Sequence, residues 1–223
     1  MKIALLADIH GNLAALEAVL NGMPPVDVMV CAGDVVGYYP YPNQVCDRLR
    51  QLGAWVVRGN HDAYVTGQLP PNPEKVGAYR TLWTRSNLRG DHLAWLNALP
   101  VEIRFQWGGQ RVRARHASPW DEETYLYPDS PYLPDLQLEG SEILIVGHTH
   151  YPLARQCGEG LLINPGSVGQ PRDWNPLASY AVLDAGSRTV SHHRVAYDVA
   201  GLQGVLSQMN WEPKTIEILS RTR

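Results

Sequence analysis

Lys2-Ile3-Ala4-Leu5-Leu6-Ala7-Asp8-Ile9-His10-Gly11-Asn12 opens the chain, and its form returns twice. Lys2 to Ala7 reads as a buried strand, broken by a polar motif from Asp8 to Asn12. Leu13, Leu16, Val19 and Leu20 then recur at helical spacing, with Asn12 placed to cap the helix and Gly22 with Pro24-Pro25 to stop it. A second strand, Val26 to Ala32, runs into Gly33-Asp34-Val35-Val36-Gly37. After a Tyr/Pro-rich loop, Tyr38 to Pro42, and a helix near Asn43 to Leu52, a third strand, Ala54 to Val57, runs into Arg58-Gly59-Asn60-His61-Asp62. Asp8, Asp34 and Asn60 are spaced 26 and 26 residues apart. Each interval holds one helix and one strand, so the run is β-α-β-α-β with parallel neighbouring strands and right-handed crossovers. The three polar motifs then share the carboxyl edge of one sheet, where open α/β sheets bind ligands. A single polar turn at a strand end is common; three in succession rich in Asp, His and Asn point to a site.

The bulk properties narrow the classes. With 223 residues, 44% hydrophobic and 18% charged, the chain can bury a substantial core. A net charge of -3 and no basic stripe argue against long nucleic acid and against a membrane surface. Cys31, Cys46 and Cys157 are an odd number without close spacing, which disfavours a disulfide framework or Cys-based zinc site and points to a reducing, cytoplasmic setting. Cys31 lies in an apolar run and reads as core packing. No stretch has the length of a signal peptide core or a membrane span.

The remainder supplies further strands and motifs. Ala63 to Pro73 reads as a surface loop, and helices over Glu74 to Asn87 and Asp91 to Leu99 read as a cap beside the sheet, within one domain spanning residues 1–223. Val101 to Gln106 and Arg111 to Ala114 form a hairpin pattern that ends in Arg115-His116-Ala117-Ser118-Pro119. The apolar run Ile143 to Val146 ends in Gly147-His148-Thr149-His150, two histidines able to reach two neighbouring points. Leu153 to Gln156 pairs with Leu161 to Asn164, and Ser179 to Asp184 with Thr189 to Val195. A short helix near Ala200 to Met209 and a polar tail follow. The second half thus reads as largely antiparallel. The expected fold is α/β, a four-layer α/β/β/α sandwich of two mixed sheets.

Asp8, His10, Asp34, Asn60, His61, His116, His148 and His150 all fall at expected strand ends, and hold five of the eight histidines. Imidazoles and carboxylates with one amide oxygen suit divalent transition metals better than magnesium or calcium. They are too many for one tetrahedral zinc and about enough for two metals sharing a carboxylate. The order Asp-x-His-Gly-Asn, Gly-Asp-x-x-Gly, Gly-Asn-His-Asp, His-x-Ser-Pro, Gly-His-Thr-His, trailed by Asn164-Pro165-Gly166-Ser167-Val168-Gly169-Gln170-Pro171-Arg172, resembles the calcineurin-like metallophosphoesterase superfamily. More narrowly it is similar to the small bacterial and archaeal phosphodiesterase branch.

The resemblance implies that Asp8, His10 and His150 hold one metal, that Asn60, His116 and His148 hold the other, and that Asp34 bridges them. It places His61 over the scissile phosphate as general acid or transition-state stabiliser, with Asp62 orienting it. The implied activity is hydrolysis of a small phosphodiester with two divalent transition-metal ions: manganese first, or iron, zinc, nickel or cobalt. A pair of dications neutralises phosphoryl oxygens and lowers the pKa of a bridging water, and histidine suits proton donation to the leaving oxygen. Phosphomonoesters or dinucleoside polyphosphates on the same site, and a non-catalytic metal-binding scaffold, are the rival readings; the presence of His61 and every ligand position disfavours the scaffold.

This chain has His116-Ala117 where that branch commonly has His-Gly, and alanine tolerates positive φ poorly. It also lacks the arginine that family protein phosphatases carry after Gly-Asp-x-Val-Asp. Arg58 and Arg172 are candidates for phosphate contacts, with structural ion pairs as the competing role; Asn12 is a helix cap or a substrate contact. Tyr38, Tyr39 and Tyr41 either wall a planar substrate or pack on their own prolines. His92, His192 and His193 read as exposed or hydrogen-bonded. Apolar positions in the last hairpins leave a homo-oligomer open.

Overall fold

The computed structural model describes residues 1–222. Strand β1 (Lys2–Leu6), helix α1 (Leu13–Gly22), β2 (Val28–Cys31), α2 (Pro42–Gln51) and β3 (Trp55–Val56) follow the repeated pattern. The strands are parallel, with Ile3 opposite Val28 and Val30 opposite Trp55. Because β2 lies between β1 and β3, Asp34 leaves the middle strand of the three parallel ones.

The next segment departs from expectation. Where a loop over Ala63 to Pro73 was expected, helix α3 (Asn60–Thr66) begins inside the third motif, and Ala63, Tyr64 and Val65 are buried. Two turns buried almost all round show no amphipathic period. The single helix expected over Glu74 to Asn87 is split into α4 (Val76–Tyr79) and α5 (Thr81–Asn87) by Arg80 at φ 55°. Helix α6 (Gly90–Asn97) then packs Leu96 into the core.

Strands β4 (Glu102–Trp107), β5 (Gln110–Arg115), β6 (Ile143–Ile145), β7 (Pro152–Cys157), β8 (Gly160–Pro165), β9 (Ala178–Asp184) and β10 (Thr189–Val195) complete two mixed sheets. Their orders are β10-β9-β1-β2-β3 and β4-β5-β6-β8-β7. The three expected hairpins are present and antiparallel, but the centre of the second sheet, β5-β6-β8, is parallel. An apolar alternation does not reveal strand direction across a connection as long as the one from Arg115 to Ile143.

The sheets face each other through Ile3, Leu5, Val30, Val112, Ile143, Ile145, Ile163 and Leu183. Helices α1, α2 and α6 cover the far side of the first sheet. The far side of the second is covered by Leu126, Leu133, Leu136 and Leu138, from a segment of turns in place of a helix. The expected polar tail is structured: after α7 (Val199–Gln208), α8 (Pro213–Glu217) and its flanks bring Trp211 and Leu219 onto Tyr38 and Tyr39. Cys31, Cys46 and Cys157 are buried and unpaired. Among the described residues no helix is long and apolar enough to cross a membrane.

The inter-sheet core fixes how the two carboxyl edges meet. Ile145→Ala, at a fully buried position between the sheets, is expected to lower stability by about 2–5 kcal/mol in urea unfolding.

Candidate metal centre

The loops at the carboxyl edges are tied to one another by backbone bonds that continue beyond the strands. Asp8 N donates to Gly33 O (3.0 Å), His10 N to Asp34 O (2.9 Å), Gly169 N to Asp8 O (3.0 Å) and Gly147 N to His116 O (2.7 Å). Satisfying these bonds forces sharp departures from the strands. Asp8, His10, Asp34, His148 and His150 all take positive φ, between 54° and 67°. Each such residue costs on the order of 1 kcal/mol, a strain the surrounding mesh enforces. His148 and His150 therefore diverge through left-handed backbone rather than through an extended strand. His116 and Ala117 keep negative φ, so the missing glycine has no conformational consequence. Glycine is required at Gly59, where a Cβ would overlap the Asp34 carboxylate and backbone.

Two clusters result. In the first, His10 Nε2 lies 3.1 Å from His150 Nε2 and 3.6 Å from Asp34 Oδ2, and His150 Nε2 lies 3.5 Å from Asp8 Oδ1. In the second, His116 Nε2 lies 2.9 Å from Asn60 Oδ1, 3.1 Å from His148 Nδ1 and 3.4 Å from Asp34 Oδ2, and His148 Nδ1 lies 3.0 Å from Asn60 Oδ1. Asp34 Oδ2 faces both. All seven residues named for metal binding are thus brought together, and all are buried.

The far nitrogen of every imidazole is committed. His10 Nδ1 donates to Val36 O, His150 Nδ1 to Gln170 O (2.6 Å), His116 Nδ1 to Ala32 O (2.7 Å) and His148 Nε2 to Glu123 O (3.1 Å). A carbonyl only accepts, so each of these nitrogens carries the hydrogen, and in the neutral ring the inward nitrogen presents a lone pair. Imidazoles, carboxylates and one amide oxygen converge at about 3 Å, and once Asp8 and His116 give up their protons every inward atom offers a lone pair. That donor set fits two divalent cations sharing Asp34.

The electrostatics agree. Burial pushes His10 down to about 4 and His148 to about 3, and holds His150 well below its usual range, so these rings are neutral. Burial raises Asp8 to about 8. For His116 burial opposes the charge, but Asp34 and Asp8 lift it to about 9. Burial likewise opposes ionisation of Asp34, yet His116, His61 and His10 hold it well below the carboxylate range.

The other named residues divide. His61 is buried, makes no side-chain hydrogen bond among the described residues, and sits with ring centroids 4.8 Å from His10 and 4.9 Å from Tyr38. Its N–H donates to Asp34 Oδ1 (2.8 Å), which fixes it beside the clusters without joining them. Asp62 does not orient that ring: its carboxylate accepts from Gly59 N, Val35 N and Val36 N at 2.9–3.1 Å, locking the β2 loop to the start of α3. Asn12 caps α1: Oδ1 accepts from Ala15 N, and Nδ2 donates to Gly169 O and Tyr197 Oη. Arg58 is held by Glu122 (2.7 Å), the ion-pair role. Arg172 has no carboxylate partner among the described residues. Its Nη2 donates to Tyr38 Oη (3.2 Å) and Gln170 Oε1 (2.9 Å), and its side chain lines a cavity of about 480 Å³.

Sequence reasoning missed Tyr79, Tyr125 and Gln170, which also line that cavity. Tyr125 packs on His148 at 3.9 Å between centroids and Tyr79 on His61 at 4.3 Å. Tyr79 and Tyr125 come from segments with no motif of their own, while Gln170 lies in the trailing Asn164–Arg172 motif, where nothing marked it as lining a cavity. Of the Tyr/Pro loop, Tyr38 faces the centre, while Tyr39 and Tyr41 pack with the C-terminal helices. His92 bonds Asp47 and Asn43, and His192 bonds Asn164 O.

The calcineurin-like phosphoesterase superfamily domain profile matches residues 1–188. The chain belongs to that superfamily. It is 31% identical over 198 residues to the phosphodiesterase YfcE of Escherichia coli, covering 82% of this chain and 88% of that one. An uncharacterised protein of Methanocaldococcus jannaschii is 37% identical over 217 residues, 88% of each chain. The crystal structure of a metallophosphoesterase from Sphaerobacter thermophilus superposes with a TM-score of 0.84 at 32% identity, over 99% of this chain and 98% of that one. Membership in this superfamily implies divalent metal ions, and the chain's own Asp and His cluster is a donor set that fits them.

Two outcomes follow from this geometry. At pH 7 both Asp8 and His116 are protonated in the metal-free protein, since their pKa values lie above 7, and both must be deprotonated to ligate. Metal loading should therefore release about two protons and tighten as pH rises toward 9; calorimetry in buffers of different ionisation enthalpy counts them, and no release would refute the assignment. Asp62→Ala strands three backbone N–H groups and should cost about 3 kcal/mol in chemical unfolding.

Proposed function

We propose that this protein is a dinuclear metal-dependent phosphodiesterase acting on small phosphodiesters, with His61 serving the leaving oxygen. The observation that supports it most is the pair of lone-pair clusters sharing Asp34 Oδ2, with His61 beside both and ligand to neither. Two divalent cations held there, manganese in the first instance, would supply charge neutralisation at the phosphate and a nucleophilic water of lowered pKa. Asp8, His10 and His150 would hold one, and Asn60, His116 and His148 the other. The activity of the Escherichia coli relative, a phosphodiesterase, favours the diester over the monoester.

The chain's own residues do the rest. Arg172, with no carboxylate to neutralise it, receives a phosphoryl oxygen at the cavity floor, and Gln170 fixes its guanidinium through two hydrogen bonds to Oε1. Burial keeps His61 neutral in the free protein. An anionic phosphate beside it raises its pKa, so it gains its proton with the substrate and gives it to the leaving alkoxide. Tyr38, Tyr79 and Tyr125 exclude water around that transfer. A cavity of about 480 Å³ accommodates a small ligand and not a polymer.

His61→Ala should lower kcat for bis(4-nitrophenyl) phosphate by about 10²–10⁴-fold while metal analysis still finds two ions per chain. Asp34→Asn should lose metal and activity together. Full turnover by either variant would falsify the proposal.

A further inference from the structure

The family domain profile stops at residue 188, and one of the two outer walls of the cavity comes from beyond it. One wall is the stretch before and within α4, with Lys75 and Tyr79. The other is the C-terminal unit around α8, with Glu212, Lys214 and Thr215. The walls meet where Tyr79 and Trp83 pack with Trp211 and Ile216. The C-terminal unit is anchored to the centre, since Trp211 Nε1 donates to Tyr38 O and Arg221 Nη2 to Arg172 O (3.0 Å). The mouth is therefore built by chain that packs rigidly on the site.

The charge of this mouth is one-sided. Arg172 lies at the floor and Lys75 and Lys214 at the rim, on opposite walls, against one carboxylate, Glu212. Neither lysine forms an ion pair or a side-chain hydrogen bond among the described residues. Lys214 also opens onto an adjoining cavity of about 470 Å³, where Arg221 and Glu217 offset one another, so the cationic surplus belongs to the first cavity. On a chain of net charge -3, this surplus is local. One phosphodiester anion, seated between the metals and Arg172, leaves the two rim lysines with Glu212 as the one carboxylate in the lining.

We propose that the substrate is a phosphodiester bearing a second anionic group, which Lys75 and Lys214 bind at the cavity mouth, with Tyr79 and Tyr125 flanking the planar or sugar portion between. This rests on the diesterase reading above for which phosphate reacts. It assigns specificity to the two wall segments, and not to the metal loops.

The test separates binding from turnover. Calorimetric titration of the metal-loaded protein compares thymidine 3′,5′-bisphosphate with thymidine 5′-monophosphate, which differ by one phosphate. The bisphosphate should bind about tenfold or more tightly, and Lys75→Ala/Lys214→Ala should abolish that preference. Both lysines are exposed, so the variant retains the fold. In parallel, the 4-nitrophenyl 5′-phosphodiesters of thymidine with and without a 3′-phosphate report kcat/KM, and their ratio should fall about tenfold in the double variant. Equal affinities, or a preference that survives in the variant, overturn the subsite even if both esters are cleaved. A preference lost with the lysines while neither ester is cleaved upholds the subsite and removes the diesterase reading.

Discussion

The arrangement depends on four imidazoles whose outer nitrogens are bonded to backbone carbonyls. Those bonds decide the tautomer, and the tautomer decides that lone pairs face inward. Without them the rings could donate to Asp8 and Asp34 and close the clusters as ordinary buried hydrogen-bond networks. With them the centre gathers inward-facing acceptors, met by backbone donors at its margin where His148 N reaches Asp8 and His61 N reaches Asp34. The carbonyls involved, of Ala32, Val36, Glu123 and Gln170, belong to loops from both sheets. Ligand orientation is thus a property of how the sheets are docked, and the inter-sheet core of Ile3, Val30, Ile145 and Ile163 is what keeps it.

The same docking explains the strained backbone. Five ligand residues occupy left-handed conformations that isolated peptides avoid. The strain persists because inter-loop backbone bonds tie these turns together, with Asp8 and His10 each held through both N–H and C=O. Asp62 is part of this support rather than part of the chemistry. Its three accepted N–H bonds bring the β2 and β3 loops into register, which sets Asp34 against the His61 amide.

Much of this was legible in the sequence because it is local and periodic. The 26-residue spacing gave β1, β2 and β3 their parallel order and put Asp34 in the middle. The eight candidate positions stood out because His, Asp and Asn at strand ends have few structural reasons to cluster, and the division into seven candidate ligands and His61 came from the family resemblance. What could not be read was set by tertiary partners. α3 is buried nearly all round and has no amphipathic signature. Asn12, Arg58 and Asp62 are polar residues beside a site, and only their partners reveal them as a cap, an ion pair and a loop lock. Tyr79 and Tyr125 carry no motif, and Gln170 sits in the trailing motif without a signal of its own role. Tyr79 reaches the cavity from α4, Tyr125 from the Arg115–Ile143 connection and Gln170 from the loop after β8.

The pairing of β1 with β9 has a bearing on biosynthesis. Lys2 lies opposite Asp184, so the first strand made is an open edge on one side until nearly the last residues of the sheet emerge. The parallel β1-β2-β3 unit can form early, but with the β9 side of β1 bare and its inward face lacking the second sheet. A ribosome-bound chain therefore carries an exposed apolar strand through most of its synthesis, a state that favours protection by chaperones and penalises pauses late in translation. The strand that presents Asp8 to the metal centre is also the one whose completion marks the end of folding.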